Sequence, residues 1–309
     1  LIIRGKIMRL VTRSDFDGLA CGMLLKEEDL IDDVKFVHPK DLQDGLFMAT
    51  SNDILCNVPY IHGCGMWFDH HSSEEERVGW THAVKGLSKK APSCAGIVYE
   101  YFNGQERLPQ FKPLIEAVDK VDSGQLSIDD IRNPSGWVLI GFIADPRTGL
   151  GRFREFRIAN YELMLEFINH LRHSTLEEIL VHPDVKERIE LYKDQTALFE
   201  TMVKKYSRTD QNVLITDLRD VDPIYTSNRF TVYALYPDQN VSLWITDGRA
   251  KQNVAIACGY SVLNRTCNID IGHLMLQYGG GGHHQVGTCQ IPYNEANNAI
   301  EEIVKALKK

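Results

Sequence analysis

The sequence contains no apolar run that approaches the roughly 20 residues a helix needs to cross a bilayer. Its first residues also lack the apolar stretch and cleavage site of a secretory signal. The seven cysteines are scattered and form no Cys-x-x-Cys pair, which argues against a disulfide framework or a zinc cage. We therefore expect reduced thiols, a cytoplasmic location and no association with a membrane.

Positive charge is also scarce, because 34 lysines and arginines stand against 42 aspartates and glutamates, a net charge of −8. A chain this acidic is not built for non-specific binding to DNA. An anionic substrate must instead be met by a local cluster of basic residues or by metal ions. The length of 309 residues predicts about two domains.

The first part of the chain alternates strand-like and helix-like segments. Apolar strand candidates lie at residues 8–12, 34–37, 53–58 and 65–68, and a helix candidate at 18–27 follows the first. Further helices are predicted at 95–102, 114–121, 161–172 and 176–181, the last with Ser174 and Glu177 as a capping box. This alternation predicts an α/β fold in which a parallel sheet carries helices on both faces.

The last third of the chain has a different pattern. Strand-like runs at 212–217, 230–236, 241–246 and 253–261 precede a helix candidate at 269–277, a run of glycines and an amphipathic helix at 294–307. Residues 184–206 form a long charged stretch without glycine or proline, which predicts a connecting helix. We predict a first domain over 6–183, a linker helix over 184–206 and a smaller α/β domain with a mixed sheet over 207–309.

Polar side chains follow each of the four predicted strands of the first domain. They are Asp15 and Asp17 after the first strand, His38 after the second, Asn57 after the third, and Asp69, His70 and His71 after the fourth. Because the carboxyl ends of parallel strands lie at one edge of a sheet, these residues are expected to meet. Carboxylates with imidazoles and without cysteine favour Mn²⁺ or Fe²⁺, with Mg²⁺ or Co²⁺ as alternatives.

Each of these motifs also has a purely structural interpretation. Asp-x-Asp-Gly is typical of a turn or a helix start, and a lone His-His pair is usually a surface or core feature. His38 precedes a proline and is better explained by structure, while His170 and His173 lie on a helix face where solvent is the expected surrounding. Asp69-His70-His71 is more specific, since it directly follows an apolar strand.

Four motifs, in order along the chain, resemble those of the DHH phosphoesterases. Asp15-Phe16-Asp17-Gly18 is similar to the family's first motif and Asp69-His70-His71 to its third. Asp122 resembles the metal-bound aspartate of the fourth motif, with Asp119 as the alternative. Gly280-Gly281-Gly282-His283, continuing to Gly287, resembles the motif of the DHH-associated C-terminal domain. The resemblance spans nearly the whole chain and is strongest to proteins called exopolyphosphatase-related or oligoribonuclease-like.

The resemblance implies a phosphoesterase that uses one or two metal ions, with Mn²⁺ preferred. It implies hydrolysis of phosphodiester or phosphoanhydride bonds in nucleotides, short single-stranded oligonucleotides or polyphosphate. The metal ligands it implies are Asp15, Asp17, Asp69, His70, Asp122 and Asn57. The catalytic residues it implies are Asp15, Asp17, His70 and His71, of which His71 is either a ligand or a contact to the leaving group. A homodimer is compatible with the sequence.

The resemblance also implies that substrate lies in a cleft between the domains, facing the metals. The substrate-binding candidates are Arg13, His71, Asn264, Arg265, Gly280, Gly281, Gly282 and His283. The glycine run is suited to an anion-binding nest of N–H groups, although a flexible loop or a helix C-cap has the same composition. Tyr225, Tyr260 and Tyr278 are candidates to stack on a base, yet aromatic residues in a β-rich domain are usually part of the core.

Two positions depart from the family's pattern. The histidine that often precedes the first-motif aspartates is missing from Val11-Thr12-Arg13-Ser14, and Asn57 stands where a bridging aspartate is usual. Asparagine offers a carbonyl oxygen but no charge, so a dinuclear site is weakened and a single ion becomes an alternative. Arg13 is a candidate to replace the charge of an ion near the substrate. The alternative function is a member that binds a phosphorylated ligand without turnover.

Four arginines form a basic cluster within this acidic chain. They are Arg147, Arg152, Arg154 and Arg157, in a segment that Pro146 and Gly149 mark as a loop. The cluster is either a solvated face or a collar that guides a polyanion, because arginine matches phosphate with two parallel hydrogen bonds.

Overall fold

Two β-sheets organise the chain, a parallel one near its start and a mixed one toward its end. The computed structural model describes residues 7–71 and 85–308. Within these ranges, no helix combines the length and the apolar character that a membrane crossing requires.

The chain divides into two compact units, each built on one sheet. The first unit holds the chain up to Gln125 together with Pro134–Leu191, and the second holds Leu126–Asn133 together with the chain from Tyr192 onward. A short segment of the first half therefore contributes to the second unit. The predicted domain limits stay a prediction, and their outer ends, residues 6 and 309, lie outside the described residues.

The first sheet has five parallel strands, named β1 Met8–Thr12, β2 Ile31–Phe36, β3 Asp53–Cys56, β4 Met66–Asp69 and β5 Lys85–Ser88. Their order is β2-β1-β3-β4-β5. In the centre, Leu10 pairs with Ile54, and both side chains are fully buried. Parallel strands that are covered on both faces have continuous apolar sequences, which explains the pattern of β1 and β3. The predicted parallel α/β sheet is confirmed, and β5 is a strand that the sequence pattern did not predict.

Helices connect β1, β2 and β3, and further helices fill most of the chain between β5 and the second sheet. They are α1 Phe16–Glu27, α2 Pro39–Gln43, α3 Cys94–Tyr101, α4 Gly104–Arg107, α5 Lys112–Asp122, α6 Ile128–Arg132, α7 Gly136–Ala144, α8 Asn160–His173, α9 Leu176–Val181 and α10 Pro183–Tyr206. Helix α1 is buried along most of its length and packs against α3 and α8. The predicted capping box of α9 is wrong by one residue, because Thr175 and Glu178 form it.

The second sheet has six strands, named β6 Ser207–Asp210, β7 Val213–Asp217, β8 Val241–Asp247, β9 Val254–Tyr260, β10 Gly281–His283 and β11 Val286–Ile291. Their order is β10-β11-β9-β8-β7-β6, and only β7 and β8 are parallel neighbours. Helices α11 Thr231–Leu235, α12 Ile271–Leu276 and α13 Tyr293–Leu307 complete the described unit. The predicted mixed sheet is confirmed.

One predicted strand of the second unit is a helix. Residues 230–236 are rich in β-branched and aromatic side chains, yet α11 occupies Thr231–Leu235. Most of the helix is buried, and the Tyr233 hydroxyl lies 2.9 Å from Ser242 Oγ and donates to the carbonyl oxygen of Gly259. Burial and these tertiary hydrogen bonds override the local preference for a strand, which depends strongly on context.

Candidate active site

The ends of β1 and β3 bring together two side chains that are 42 residues apart in sequence. Asn57 Nδ2 donates a hydrogen bond of 3.1 Å to Asp15 Oδ1, and both residues are buried. Asp15 caps α1, and Asn57 follows β3 directly. The neighbouring strand β4 ends at Asp69, which is fully buried. The strand ends thus gather polar side chains at one edge of the first sheet.

Asp15 is surrounded by donors from its own chain. Its Oδ1 atom accepts from the backbone N–H of Gly18 at 3.0 Å as well as from Asn57. Its Oδ2 atom forms an ion pair with Arg13, whose Nε atom lies 3.1 Å away. A guanidinium group and two N–H donors thus surround this buried carboxylate.

Asp17 lies in the first turn of α1, where its side chain is fully enclosed. Its two oxygens accept from the backbone N–H groups of Cys94 at 3.0 Å and Ala95 at 2.7 Å, at the start of α3. Burial raises the pKa of Asp17 well above its ordinary value, and the charges of Asp122 and Asp15 raise it further. The two N–H groups oppose this shift but do not cancel it. A nearby cation would stabilise the charged form of such a carboxylate.

His70 points one ring nitrogen at two carboxylates. Its Nε2 atom lies 3.3 Å from Asp122 Oδ2 and 3.7 Å from Asp17 Oδ2. Its Nδ1 atom lies 3.2 Å from the carbonyl oxygen of Ala91, which only accepts, so we assign the ring proton to Nδ1. In the neutral ring Nε2 then carries a lone pair, and among the described residues this buried atom has no hydrogen-bond partner.

These three residues fit a divalent cation. One ligand atom from each of Asp17, His70 and Asp122 lies within 4.8 Å of the other two. Two carboxylates and an imidazole lone pair repel one another unless a positive charge lies between them. Their chemistry, with oxygen and nitrogen donors and no sulfur, suits Mn²⁺ and the other ions predicted from the sequence.

Asp69 and His71 form a second pair beside this group. His71 Nδ1 lies 2.8 Å from Asp69 Oδ1, and within the described residues the buried Oδ2 atom has no hydrogen-bond partner. Burial lowers the pKa of His71, but the hydrogen bond and charge of Asp69 outweigh burial and raise it overall. The rings of His70 and His71 are close, with centroids 4.2 Å apart. Asp69 therefore orients His71 at the same edge of the sheet.

The two candidates for the fourth motif, Asp119 and Asp122, both lie in α5 but have different partners. Asp122 ends the helix and faces His70, whereas Asp119 Oδ1 accepts a hydrogen bond of 2.6 Å from Ser93 Oγ. Ser93 in turn caps α3 by accepting from the N–H of Gly96. Burial raises the pKa of both aspartates. Asp119 thus supports the helix start that holds Asp17, and Asp122 is the one that converges on His70.

The structure divides the predicted arginine cluster. Arg147 lines a pocket of the first unit together with Asp15, Asp17, Asp122 and Asp145. Its Nε and backbone N atoms both donate to Asp145 Oδ1 at 2.8 Å, which fixes the guanidinium group at the pocket. Arg147 is itself partly exposed, with a side-chain exposure of 41%. The remaining arginines are also exposed, and Arg157 forms an ion pair with Asp184 at 3.5 Å while Arg152 Nε donates to Gly149 O at 3.3 Å. The sequence predicted Arg147 as part of either a solvated face or a collar and did not connect it with the acidic residues.

Three scattered cysteines also meet in the first unit. One sulfur atom from each of Cys21, Cys56 and Cys94 lies within 4.8 Å of the other two, and all three side chains are fully buried. Burial raises the pKa of each thiol well above its ordinary value, so they stay protonated. The absence of a Cys-x-x-Cys pair did not exclude this cluster, but buried protonated thiols are poor ligands.

The histidines outside the motifs have structural surroundings. His38 is exposed, and its carbonyl oxygen accepts from Asp41 at the start of α2. His173 is exposed as expected, but His170 is half-buried against His182, with ring centroids 4.5 Å apart. The expectation that His170 is simply solvated is wrong, because α8 packs this face near the start of α10.

The glycine run of the second unit forms part of a hairpin. Gly281 to His283 make up β10, which pairs with β11, and Gly282 lies opposite Gly287. A side chain at Gly280 would overlap Thr288 O, and one at Gly282 would overlap Val286 O. A Cβ atom at Gly281, by contrast, would have no neighbour within 4 Å. Two of the glycines are needed for close packing, and Gly281 pairs with Thr288 while leaving the space at its Cβ position open.

The other predicted substrate contacts of the second unit lie on its surface or within its loops. His283 and Arg265 are exposed, and Arg265 Nε donates to Val262 O at 3.0 Å. The Asn264 amide donates to Asp238 O in the loop before β8 and accepts from Thr266 Oγ1 in its own loop. Tyr260 and Tyr278 pack against the core, in line with the usual role of such tyrosines, and Tyr225 is half-buried. The substrate-binding role of this set stays a prediction.

Comparison with known proteins finds a close relative among solved structures. No family model and no curated protein matches the chain. A solved structure of the pGpG-specific phosphodiesterase PggH from Vibrio cholerae is 44% identical, with a TM-score of 0.84, and the match covers 97% of this chain and 98% of that one. RecJ from Thermus thermophilus, solved with Mn²⁺, is 15% identical with a TM-score of 0.54, covering 98% of this chain and 52% of RecJ.

The two likenesses carry different weight. The RecJ structure shares the fold alone, since 15% identity is too low to carry more. The PggH structure shares fold and sequence over almost the whole of both chains, which indicates common descent. With that relative, and with the first-motif and third-motif residues gathered at one sheet edge, the chain belongs to the DHH family of phosphoesterases.

Proposed function

We propose that this protein is a divalent-metal-dependent phosphodiesterase that hydrolyses linear dinucleotides of the pGpG type. The chain is a phosphoesterase, and phosphodiester hydrolysis is its class of reaction. The observation that carries the proposal is the Nε2 atom of His70 between Asp17 and Asp122, which has no hydrogen-bond partner within the described residues. It stands in a chain that is 44% identical to a pGpG-specific enzyme over nearly its full length.

The proposed reaction adds one water molecule across the internal phosphodiester bond of pGpG. The bond between phosphorus and the 3′ oxygen breaks, and the oxygen of the attacking water becomes bonded to phosphorus. The water gives up one proton to solvent, and the leaving 3′ oxygen takes up one. The products are two molecules of guanosine 5′-monophosphate.

Asp17, His70 and Asp122 are the residues that would hold the ion, and we propose Mn²⁺, with Mg²⁺ and Co²⁺ as alternatives. When bound, the ion supplies the positive charge that stabilises the phosphoryl group as negative charge develops on it. The N-terminus of α3 fixes Asp17, and the carbonyl of Ala91 fixes the ring of His70. The chain itself therefore holds two of the three ligand groups in place.

His71 and the arginines are placed for contacts to the substrate. Asp69 orients His71 through a hydrogen bond of 2.8 Å, so His71 is the group we assign to the leaving 3′ oxygen. Arg13 and Arg147 flank the acidic group, each fixed by a carboxylate, and guanidinium groups bind phosphate oxygens well. These side chains would position the scissile phosphate next to the acidic group.

The second unit supplies the proposed contacts to the terminal phosphate. Gly281 offers an open backbone, and Gly280, Gly282 and His283 hold it in the hairpin. Arg265 is exposed and adds positive charge to this unit. Asn264 is the weakest member of the predicted set, because its amide already bonds to Asp238 and Thr266 within the second unit. A substrate with a free 5′ phosphate, such as pGpG, has a group for these donors to bind.

Other predictions from the sequence remain alongside this one. Seven free thiols are consistent with the proposed cytoplasmic location. Longer oligonucleotides and polyphosphate are the competing substrates, and a homodimer stays a prediction without further support. A substrate comparison separates these alternatives.

The test is hydrolysis of a substrate panel in the presence of Mn²⁺, with products separated by chromatography. We expect pGpG to be converted to guanosine 5′-monophosphate much faster than a trinucleotide or polyphosphate. His70→Ala and Asp17→Asn should each lose about a thousandfold or more of this activity, since they remove proposed ligands. His173→Ala, at an exposed histidine, should retain it. Faster release of phosphate from polyphosphate than of nucleotide from pGpG would contradict the proposed substrate.

A further inference from the structure

The carboxylates at the sheet edge differ in what already surrounds them. Asp15 has a guanidinium group, an amide and a backbone N–H as partners, from Arg13, Asn57 and Gly18. Among the described residues, Asp17 and Asp122 form no ion pair with a lysine or an arginine, and both face the ring of His70. Within the described part of the chain, Asp15 is thus in contact with a guanidinium group, whereas Asp17 and Asp122 face the imidazole ring of His70.

We propose that this site holds a single divalent ion, on Asp17, His70 and Asp122, and that Arg13 and Asn57 take the place of a second ion beside Asp15. The ion count rests on contacts within the first unit and not on the identity of the substrate. The consequence for phosphate binding rests on the proposed function, because it places the Arg13 guanidinium group next to the reacting phosphate.

Formal charges support one ion rather than two. Arg13 balances Asp15, and Arg147 balances Asp145 through a contact of 2.8 Å. Asp69, the remaining carboxylate at this edge, is paired with His71 at 2.8 Å. Asp17 and Asp122 then leave two negative charges that face the ring of His70. One divalent ion neutralises this pair. A second would place excess positive charge in a site where buried charge must be paired.

Asn57 removes the need for a cation between β1 and β3. Its backbone has a φ of 56°, a left-handed conformation that asparagine tolerates better than most residues. Only its NH₂ group can bond to a carboxylate, so the contact of 3.1 Å fixes Nδ2 toward Asp15. Its buried Oδ1 atom is a neutral acceptor that adds no charge to the site. Two carboxylates at this distance would repel each other strongly without an ion between them.

The experiment counts Mn²⁺ ions bound to metal-free protein by calorimetric titration, with electron paramagnetic resonance to detect coupled pairs. We expect one ion per chain in the wild-type protein and no coupled pair. Asp17→Asn should weaken binding by at least about a hundredfold, whereas Asp15→Asn should change it only a few-fold. The double variant Arg13→Ala, Asn57→Asp should gain a second ion, because it restores a carboxylate pair without a cation.

Matched controls separate charge from strain. Asn103→Asp changes an exposed asparagine that has the same φ of 56°, and Arg154→Ala removes an exposed arginine, so both should keep one ion. Circular dichroism checks that each variant is folded. Two ions of similar affinity in the wild-type protein, or equal losses for Asp15→Asn and Asp17→Asn, would overturn the proposal. The count needs no substrate, so it stands or fails independently of pGpG hydrolysis.

Discussion

Arg147 shows how a single side chain acquires a role that its sequence neighbours do not share. Asp145 fixes its guanidinium group by accepting two hydrogen bonds, one from the side chain and one from the backbone of Arg147. The charge of Arg147 also opposes the rise that burial and Asp15 cause in the pKa of Asp122. A fixed guanidinium beside an acidic metal group is suited to bind the substrate's phosphate rather than the ion.

Arg147→Ala should therefore weaken substrate binding and leave ion binding intact. We expect KM for pGpG to rise about tenfold to a hundredfold, the range for losing a charged hydrogen bond. Mn²⁺ affinity should stay the same or increase, because a positive charge near Asp122 is removed. Steady-state kinetics with a parallel Mn²⁺ titration measures both, and Arg154→Ala is the control. A loss of Mn²⁺ binding in the variant would show that Arg147 supports the ion site instead.

Sequence patterns identified the residues that converge but not all of their partners. Asp15, Asp17, His70 and Asp122 follow apolar strands or end a helix, so their meeting follows from parallel strand order. Strand order made Asp15 a candidate ligand as well, whereas its contacts to Arg13 and Asn57 depend on side-chain directions that no periodicity encodes. Arg147 was predicted only as part of the arginine cluster, because its place in one pocket with Asp122 arises from tertiary structure.

At the scale of secondary structure, the hairpin of β10 and β11 tests the two meanings of the glycine run. Gly282 lies so close to Val286 that a Cβ atom there would overlap a carbonyl oxygen. Gly281 has open space on the corresponding side. Gly282 should therefore matter for stability, and Gly281 for the approach of a ligand.

Gly282→Ala should destabilise the protein by about 1–3 kcal/mol, the usual range for overpacking. Gly281→Ala should leave the melting temperature nearly unchanged but raise KM for pGpG, because its methyl group would fill the space where phosphate is proposed to bind. Thermal melts and steady-state kinetics of the two variants measure the difference. Equal melting temperatures for both variants would contradict the packing role of Gly282, and an unchanged KM for Gly281→Ala would contradict the phosphate contact.

The contact of α8 with the start of α10 predicts a dependence of stability on pH. Burial lowers the pKa of His170 and the neighbouring His182 lowers it further, while Glu166 and Asp184 oppose the shift. A folded-state pKa below that of the unfolded chain means that the unfolded chain binds more protons. This contribution to stability is therefore lost as pH falls below about 6.5.

His170→Gln should lower the sensitivity of the melting temperature to acid. Between about pH 7.5 and about pH 5.5, the wild-type protein should lose more stability than the variant. His173→Gln, at the exposed histidine one turn later, should behave like the wild-type protein. Thermal melts of the three proteins over this range measure the effect. Parallel curves for wild-type protein and His170→Gln would contradict it.

Element prediction succeeded where burial and periodicity agree. The parallel strands and the helix Pro183–Tyr206 were predicted, because their apolar or charged patterns match their surroundings. The helix Thr231–Leu235 was predicted as a strand, since its β-branched and aromatic residues favour strands until tertiary contacts decide. The short strand β5 was not predicted, because Lys85–Ser88 has no apolar run.

At the scale of the whole molecule, the chain combines one unit with an ion-binding edge and one with a glycine hairpin. The first unit contains every residue of the acidic group, and the second contains Gly281 and His283. Fold class and family were accessible from the sequence because four motifs lie in order along nearly its full length. The ion count was not, because it depends on the contacts of Asp15 and Asn57.

Anomalous diffraction at the manganese edge, from crystals of the wild-type protein soaked in Mn²⁺, tests the central claim most directly. We predict one strong peak per chain, within coordinating distance of Asp17, His70 and Asp122 together, with no ion between Asp15 and Asn57. A peak elsewhere, a pair of peaks that includes Asp15, or no peak at saturating Mn²⁺ would contradict the account.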